Sequence, residues 1–454
     1  MIRLFFIILL SVSIARGATS VSRFNITWTF QDDETVGQFV NGDWWVIGPV
    51  TITSITRPSA DSCYDGSMIN PDVASGDQGY DCRGWDGGGD GYNASKNVAN
   101  SLPLTLNSGD SLVSTISLFG PSDLRPLIEY AAVLTVVSSD PGSDKFRPSY
   151  VGTTKTLYSS SNLQTQHLLS LDPVANTPSL ATLESYFGSV LLDHQMGWTG
   201  EPIHPFYSSG DPNDTGYSGH YYAAAIAKDY GDVVLRLMLN DSLASKQALL
   251  IKAIQRGIDN YGLVSNGARW DDISGAMGVG RKLPVIFAGL MLNDAAMKNF
   301  AVNNDPTTIW QEDSQPFYNN QDARDADDIV QTDPNSNWPG YYDQWPIGFP
   351  VWGEFYWPWY HGGFSPSYYA PPGKIDYLGI VHKSTIGTAL AVHLLNIRST
   401  WNGEAFLDWT DAAVAAGQTG GYDSAFSESM WTAYRNYSFS TSQTLNVTSL
   451  TIGP

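Results

Sequence analysis

Positive charge is what this sequence has least of. Lys and Arg number 24 against 45 Asp and Glu, so the formal charge is −21. A chain this acidic repels a phosphate backbone, which argues against nucleic acid as a partner. It also weighs against polyanions in general, unless the few cations are gathered in one place. Cysteine is nearly missing as well. Cys63 and Cys82 are the two present, and one disulfide between them is the natural reading in an oxidising exterior, worth roughly 3 kcal/mol by loop entropy. Long apolar runs are absent after the first few residues, so a soluble mature chain with no membrane span is expected. No internal repeat of roughly 20–50 residues is visible.

The one early apolar run belongs to residues 1–17, MIRLFFIILLSVSIARG. A basic Arg3, an apolar stretch from Leu4 to Leu10 and small residues Ala15 and Gly17 have the order of a secretory signal. The expected localisation is therefore extracellular. Six Asn-x-Ser/Thr sites, at Asn25, Asn93, Asn213, Asn240, Asn436 and Asn446, fit a glycosylated surface.

Aromatics are abundant where charge is not. They make up 13% of the chain, with 15 Trp and 24 Tyr. Such a composition excludes disorder and suggests extended aromatic surfaces of the kind on which sugar rings stack. Carbohydrate is the first partner to consider; no cofactor is implied.

Residues 24–57 alternate polar and apolar as strands do, and Asn41-Gly42 suits a hairpin turn. Residues 61–100 are rich in Gly and Asp and hold both cysteines. Within them Asp86 and Asp90 flank Gly87–Gly89, a place for Ca²⁺ by composition but without the ordered spacing of an EF-hand loop. A solvated loop with no metal is the preferred reading. Residues 102–153 return to β-branched runs. A β-rich domain is expected over 18–155, made of antiparallel strands.

After Asp172 the period changes from two to helical, i, i+3, i+4. ATLESYFGSVLLDH, SGHYYAAAIAKDYGDVVLRLMLN, SLASKQALLIKAIQRGIDNYG, RKLPVIFAGLML, STIGTALAVHLLN and GEAFLDWTDAAVAAG all read as helices. Ser242 is placed to cap its helix and Gly262 to close it. Helix after antiparallel helix with long loops at 195–217 and 305–378 predicts an α/α toroid or incomplete barrel over 156–454; an ordinary helical bundle competes. The fold class expected is α+β.

Asn266–Asp294 is the stretch around which the rest is arranged. Arg269-Trp270-Asp271-Asp272 sets one cation, one indole and two carboxylates side by side. Gly275, Gly278 and Gly280 follow, where backbone can approach a ligand closely. Arg281 and Lys282 then lead into LPVIFAGLML, apolar on nearly every side and expected to be a buried helix. A second candidate wall is 338–364, where Pro339, Pro346, Pro350 and Pro358 forbid a continuous helix and Asp343, Glu354, Trp357, Tyr360 and His361 sit among aromatics.

GRKLPVIFAGLMLND, VGQFVNGDWWVIGPVTIT and the closing GEAFLDWTD with SESMWTAYR resemble secreted polysaccharide lyases and their α/α-toroid relatives, alginate and glucuronan lyases being the nearest comparison. The resemblance implies a His, an Arg and a Tyr at a groove. His220 and Arg269 stand where the His and Arg would fall, and Tyr221 or Tyr360 would serve as the Tyr. Gly219 stands where some such enzymes have Asn, and no Tyr follows closely after Arg269.

The chemistry needs those residue types. β-Elimination on a uronate removes the C5 proton, neutralises the carboxylate and protonates the leaving oxygen. His and Tyr suit the proton transfers and Arg the carboxylate. The catalytic candidates are His220, Tyr221, Arg269 and Arg281; Trp270, Asp271, Asp272, Glu354, Trp357, Tyr360 and His361 are candidates for substrate contact. His393, inside an apolar helix, is read as packing. Asp271 or Asp272 paired with Glu354 would instead support glycoside hydrolysis. A non-catalytic carbohydrate-binding or matrix protein is the third reading. Nothing in the sequence sets an oligomeric state.

Overall fold

A computed structural model describes residues 16–57, 63–75, 78–83, 91–117, 128–196, 223–271, 278–330, 345–352, 377–417 and 424–439. Two strands near the middle of the sheet are buried on both faces. In β9 (Ile128–Val137), Ala132, Leu134 and Val136 face a core made by the sheet itself, while Ala131 and Val133 face the helices. β8 (Ser111–Ser117) divides the same way, with Leu112 and Ile116 on one side and Val113 on the other. Period-two geometry sends alternate side chains to opposite faces, so a sheet between two apolar layers needs apolar residues at both parities.

These two strands lie in an eight-stranded curled sheet whose path runs β5, β8, β9, β3, β2, β4, β7, with β1 on β2. The remaining members are β1 (Arg16–Arg23), β2 (Ile26–Gln38), β3 (Trp44–Ile47), β4 (Val50–Thr56), β5 (Ser67–Ile69) and β7 (Leu104–Leu106). The expected strands of 24–57 are present, and Asn41-Gly42 sits in the β2–β3 turn. The sheet is mixed and not purely antiparallel, because β3 pairs with β9 in parallel, Trp44 opposite Leu134. Strand pairing starts early: Arg16 and Gly17, inside the expected signal, lie opposite Val36 and Thr35. Cys63 and Cys82 are bonded with Cα atoms 5.3 Å apart, as expected.

The described helical part follows: α1 (Leu180–Tyr186), α2 (Ala223–Leu237), α3 (Leu243–Ser265), α4 (Lys282–Leu292), α5 (Gln321–Val330), α6 (Tyr377–Leu394), α7 (Glu404–Ala415) and α8 (Ala425–Tyr434). The fold is α+β. α2 packs on α6 and α3 on α4, and the helices share one core with the inner face of the sheet. None of the described helices is long and apolar enough to cross a membrane.

Three sequence expectations are corrected here. Gly262 does not close α3: Ser242 caps its start, with Oγ accepting from Ser245 N at 3.1 Å, but the helix runs on to Ser265 and Asn266 caps the end. The missing Cβ serves packing instead, since a Cβ on Gly262 would lie 2.0 Å from Ser149 Oγ. The helix expected through His194 stops at Tyr186, and Gln195–Met196 (β10) makes a two-residue parallel ladder with Ala74–Ser75 (β6). Within the expected loop 305–378, the described residues include regular structure: a short helix at Gln311–Ser314, α5, and an antiparallel pair of Pro316–Tyr318 (β11) with Pro350–Trp352 (β12).

Candidate active site

The break after α1 creates the most reactive-looking cluster among the described residues. Gly188 follows the cap, and Ser189 then imitates a strand neighbour of β9: its hydroxyl accepts from Ala131 N at 2.7 Å and donates to Ala131 O at 2.9 Å. Val190 N also donates to Ala131 O, at 3.3 Å, and the chain then leads to the Gln195–Met196 ladder with Ala74–Ser75. It carries Asp193 and His194 into the seam between sheet and helices, both about 1% exposed.

Tyr150 and Tyr80 clamp the imidazole edge-on, each with its ring centre 5.7 Å from that of His194. The Tyr150 hydroxyl accepts from Asp193 N at 3.0 Å. Its own proton is left a choice of Leu191 O or His194 Nδ1, both at 3.3 Å. His194 Nε2 is buried without a hydrogen-bond partner, and so is the Tyr80 hydroxyl. Burial holds the His194 pKa down to about 4 against the pull of Asp193, so the ring is a neutral base at neutral pH. Burial pushes both phenols well above their usual range.

Asp193 gathers two arginines. Arg281 donates Nε to Oδ2 at 2.8 Å and Nη2 to Oδ1 at 3.1 Å, and Arg256 on α3 reaches Oδ2 with Nη2 at 3.4 Å. Arg281 stands at the head of α4, where the preceding turn is pinned from the next layer. Gly278 N donates to Gln311 Oε1 at 2.7 Å and Gly280 N to Glu312 Oε1 at 2.8 Å. Gly280 has φ +88° and passes so close to α2 that a Cβ would lie 2.7 Å from Ala227 N. Glu312 is itself buried, which raises its pKa to about 7, and its Oε2 has no partner. Lys282 pairs with Asp313 at 2.5 Å and lies 4.2 Å from the Trp401 ring centre.

Arg281 and Trp270 are the sequence candidates brought together, the guanidinium carbon 6.0 Å from the indole centre. Trp270 is 2% exposed and held by its backbone N on Ile309 O at 2.7 Å. Arg269 is exposed, donating Nη1 to Ala268 O at 2.6 Å. Asp271 is half-buried and accepts Ser314 Oγ on its backbone O at 2.8 Å. LPVIFAGLML is the buried helix expected. His393 packs, with Nε2 2.9 Å from Tyr437 O. His220, Tyr221, Asp272, Glu354, Trp357, Tyr360 and His361 lie outside the described residues, as does the 86–90 acidic loop. Of the expected aromatic wall 338–364, residues 345–352 are described, and there Trp345 stacks on Phe349 and Trp352 is buried against Trp409.

Asp193, His194, Tyr150, Tyr80 and Arg256 carry no motif that marks them in the sequence. One signal was available: α3 repeats polar residues at Lys252, Gln255, Arg256, Asp259 and Asn260, a helical stripe that is part of a long inward face. Charged residues in a buried stripe mark a place where the interior is doing something other than packing.

No protein-family model matches the chain, and neither a curated protein nor a solved structure matches it. Chemically, the cluster offers a neutral imidazole with a free nitrogen, a phenol in contact with its other nitrogen, and two cations sharing one carboxylate. That set can move a proton beside an anionic group.

Proposed function

We propose that the chain is a secreted polysaccharide lyase acting on a uronate-containing polymer, with its helical part completing an α/α-toroid-like groove. The observation that carries this reading is His194: a neutral imidazole with Nε2 free, its Nδ1 beside the Tyr150 hydroxyl and the Asp193-bound arginines next to it. His194 and Tyr150 are buried, so this role requires the seam to open to substrate; His194 then takes the C5 proton, the C4–O4 bond breaks as the C4–C5 double bond forms, and a phenol protonates the departing oxygen. Tyr150 fits that second step, or Tyr221 from outside the described residues. Arg281 and Arg256 supply the positive field in which the uronate carboxylate becomes enolate-like. The aromatic content and the expected signal segment support a polymer substrate met outside the cell.

Glu312 favours a second reading, glycoside hydrolysis. A buried carboxylic acid with pKa raised to about 7 is suited to donate a proton to a glycosidic oxygen. The test is to incubate the purified protein with a panel of uronans and neutral polysaccharides, following both the ultraviolet absorbance of unsaturated uronates and the release of reducing ends. Both signals rising together support the lyase. Reducing ends without the absorbance support the hydrolase, and saturable binding without either signal supports a binding protein.

A further inference from the structure

A cavity of about 30 Å³ lies between the start of the sheet, the 187–191 segment and α3. That is room for a group of a few atoms beyond a single water. Its carboxylates are already engaged. Asp259 is taken by Arg147 through Nη1 at 3.0 Å and Nη2 at 2.6 Å, and Asp43 by Arg147 Nε at 2.6 Å, with Arg23 Nε 3.4 Å away.

Two further cations on the wall are not so matched. Arg256 is 5% exposed, and its Nε and Nη1 have no hydrogen-bond partner. Its ion pair among the described residues is with Asp193, which Arg281 holds at shorter distances, and Asp259, whose charge it also feels, is taken by Arg147. Lys252, one turn earlier on α3, donates to the Glu184 backbone O at 2.8 Å and forms no ion pair among the described residues. Burial, aided by Arg23 and opposed by Glu184, lowers its pKa from the usual lysine range. A buried guanidinium with free donors is costly unless something accepts from it. In a chain with so few cations, their concentration around one small cavity selects for an anion.

We propose that this seam cavity binds one small oxyanion, held by Arg256 and Lys252. The shared chemistry is a compact group with several acceptor oxygens, as in inorganic phosphate or in the carboxylate of a uronic acid. Such a ligand would accept from the Arg256 donors left over after Asp193 and would tie α3 to the 187–191 segment. The site does not depend on lyase activity, because binding is read without turnover.

Titration calorimetry on the full chain tests it, with inorganic phosphate and glucuronate as separate ligands and chloride at matched ionic strength as the control. One saturable site per chain is expected for at least one of the two. Phosphate binding identifies a free inorganic ion as the occupant, and glucuronate binding alone a sugar carboxylate. Losing one charge-assisted hydrogen bond in Lys252→Gln should weaken binding about tenfold or more, and Arg256→Gln should abolish it. Lys252 is half-buried, so Lys252→Gln decides the matter even where Arg256→Gln does not fold. Absence of saturable heat with both ligands, or wild-type affinity in Lys252→Gln, overturns the proposal.

Discussion

Asp193 holds Arg281 at both carboxylate oxygens, 2.8 and 3.1 Å, joining a segment on the sheet to the head of a buried helix 88 residues later. Neither side chain is more than 1% exposed. The pair is what aligns the two halves of the candidate site, since His194 follows Asp193 directly and Arg281 begins α4.

Removing the carboxylate strands two guanidinium groups. Asp193→Ala leaves Arg281 and Arg256 buried without their shared counter-charge, and loss of one partner from a buried pair costs about 3–5 kcal/mol. Urea unfolding should show that loss as a lower midpoint. A change within error would mean that the arginines find other acceptors.

His194 sets a pH dependence of definite sign. Its pKa falls from 6.5 to about 4 on folding, so below pH 6.5 the unfolded chain takes up a proton that the folded chain refuses. Its contribution is complete above that pH and is lost as pH drops toward 4, by about 3 kcal/mol in all. His194→Gln lacks this titration. The stability gap between wild type and variant should therefore shift against the wild type on acidification. Parallel stability curves at pH 7, 5.5 and 4 would contradict the burial of a neutral imidazole.

Glu312 acts in the opposite sense. Burial raises its pKa from 4.5 to about 7. As pH rises between those values the unfolded chain loses a proton that the folded chain keeps, and stability drops by about 3 kcal/mol. Glu312→Gln can still accept from Gly280 N but does not titrate. It should gain on the wild type steadily as pH rises through that window, read from the same unfolding curves.

Gly280→Ala tests the turn that presents Arg281. An added Cβ would lie 2.7 Å from Ala227 N in α2, at a residue with φ +88°. Overpacking plus the unfavourable backbone region should cost about 1–3 kcal/mol. Ala at an exposed left-handed glycine, such as Gly267 with nothing near its Cβ position, should cost less. Equal losses would show that the contact with α2 is unimportant.

The elements whose period matches their burial were legible in the sequence. β8 and β9 showed themselves by β-branched runs, α4 by apolar residues on every side, and α3 by Ser242 at its start. The candidate cluster was not legible, for a physical reason. Val190, Leu191 and Leu192 suit a helix or a buried extended strand equally, and the choice is made by Ser189 bonding to Ala131, 58 residues away. Read as helix, Asp193 and His194 became an ordinary last turn. Arg281 stands out in the sequence as a cation at a helix mouth, whereas Tyr150 and Tyr80 have the pattern of core residues and are buried like them. The parallel β3–β9 pairing also depends on a long-range contact that no local pattern encodes.

Elimination and hydrolysis leave different ends on a cut uronan. The most direct measurement is mass spectrometry of oligosaccharides released from a uronan in water labelled with heavy oxygen. Elimination predicts unsaturated products that carry no heavy oxygen at the newly formed end, made by the wild type and not by His194→Gln. Saturated products with heavy oxygen at the new reducing end would contradict it.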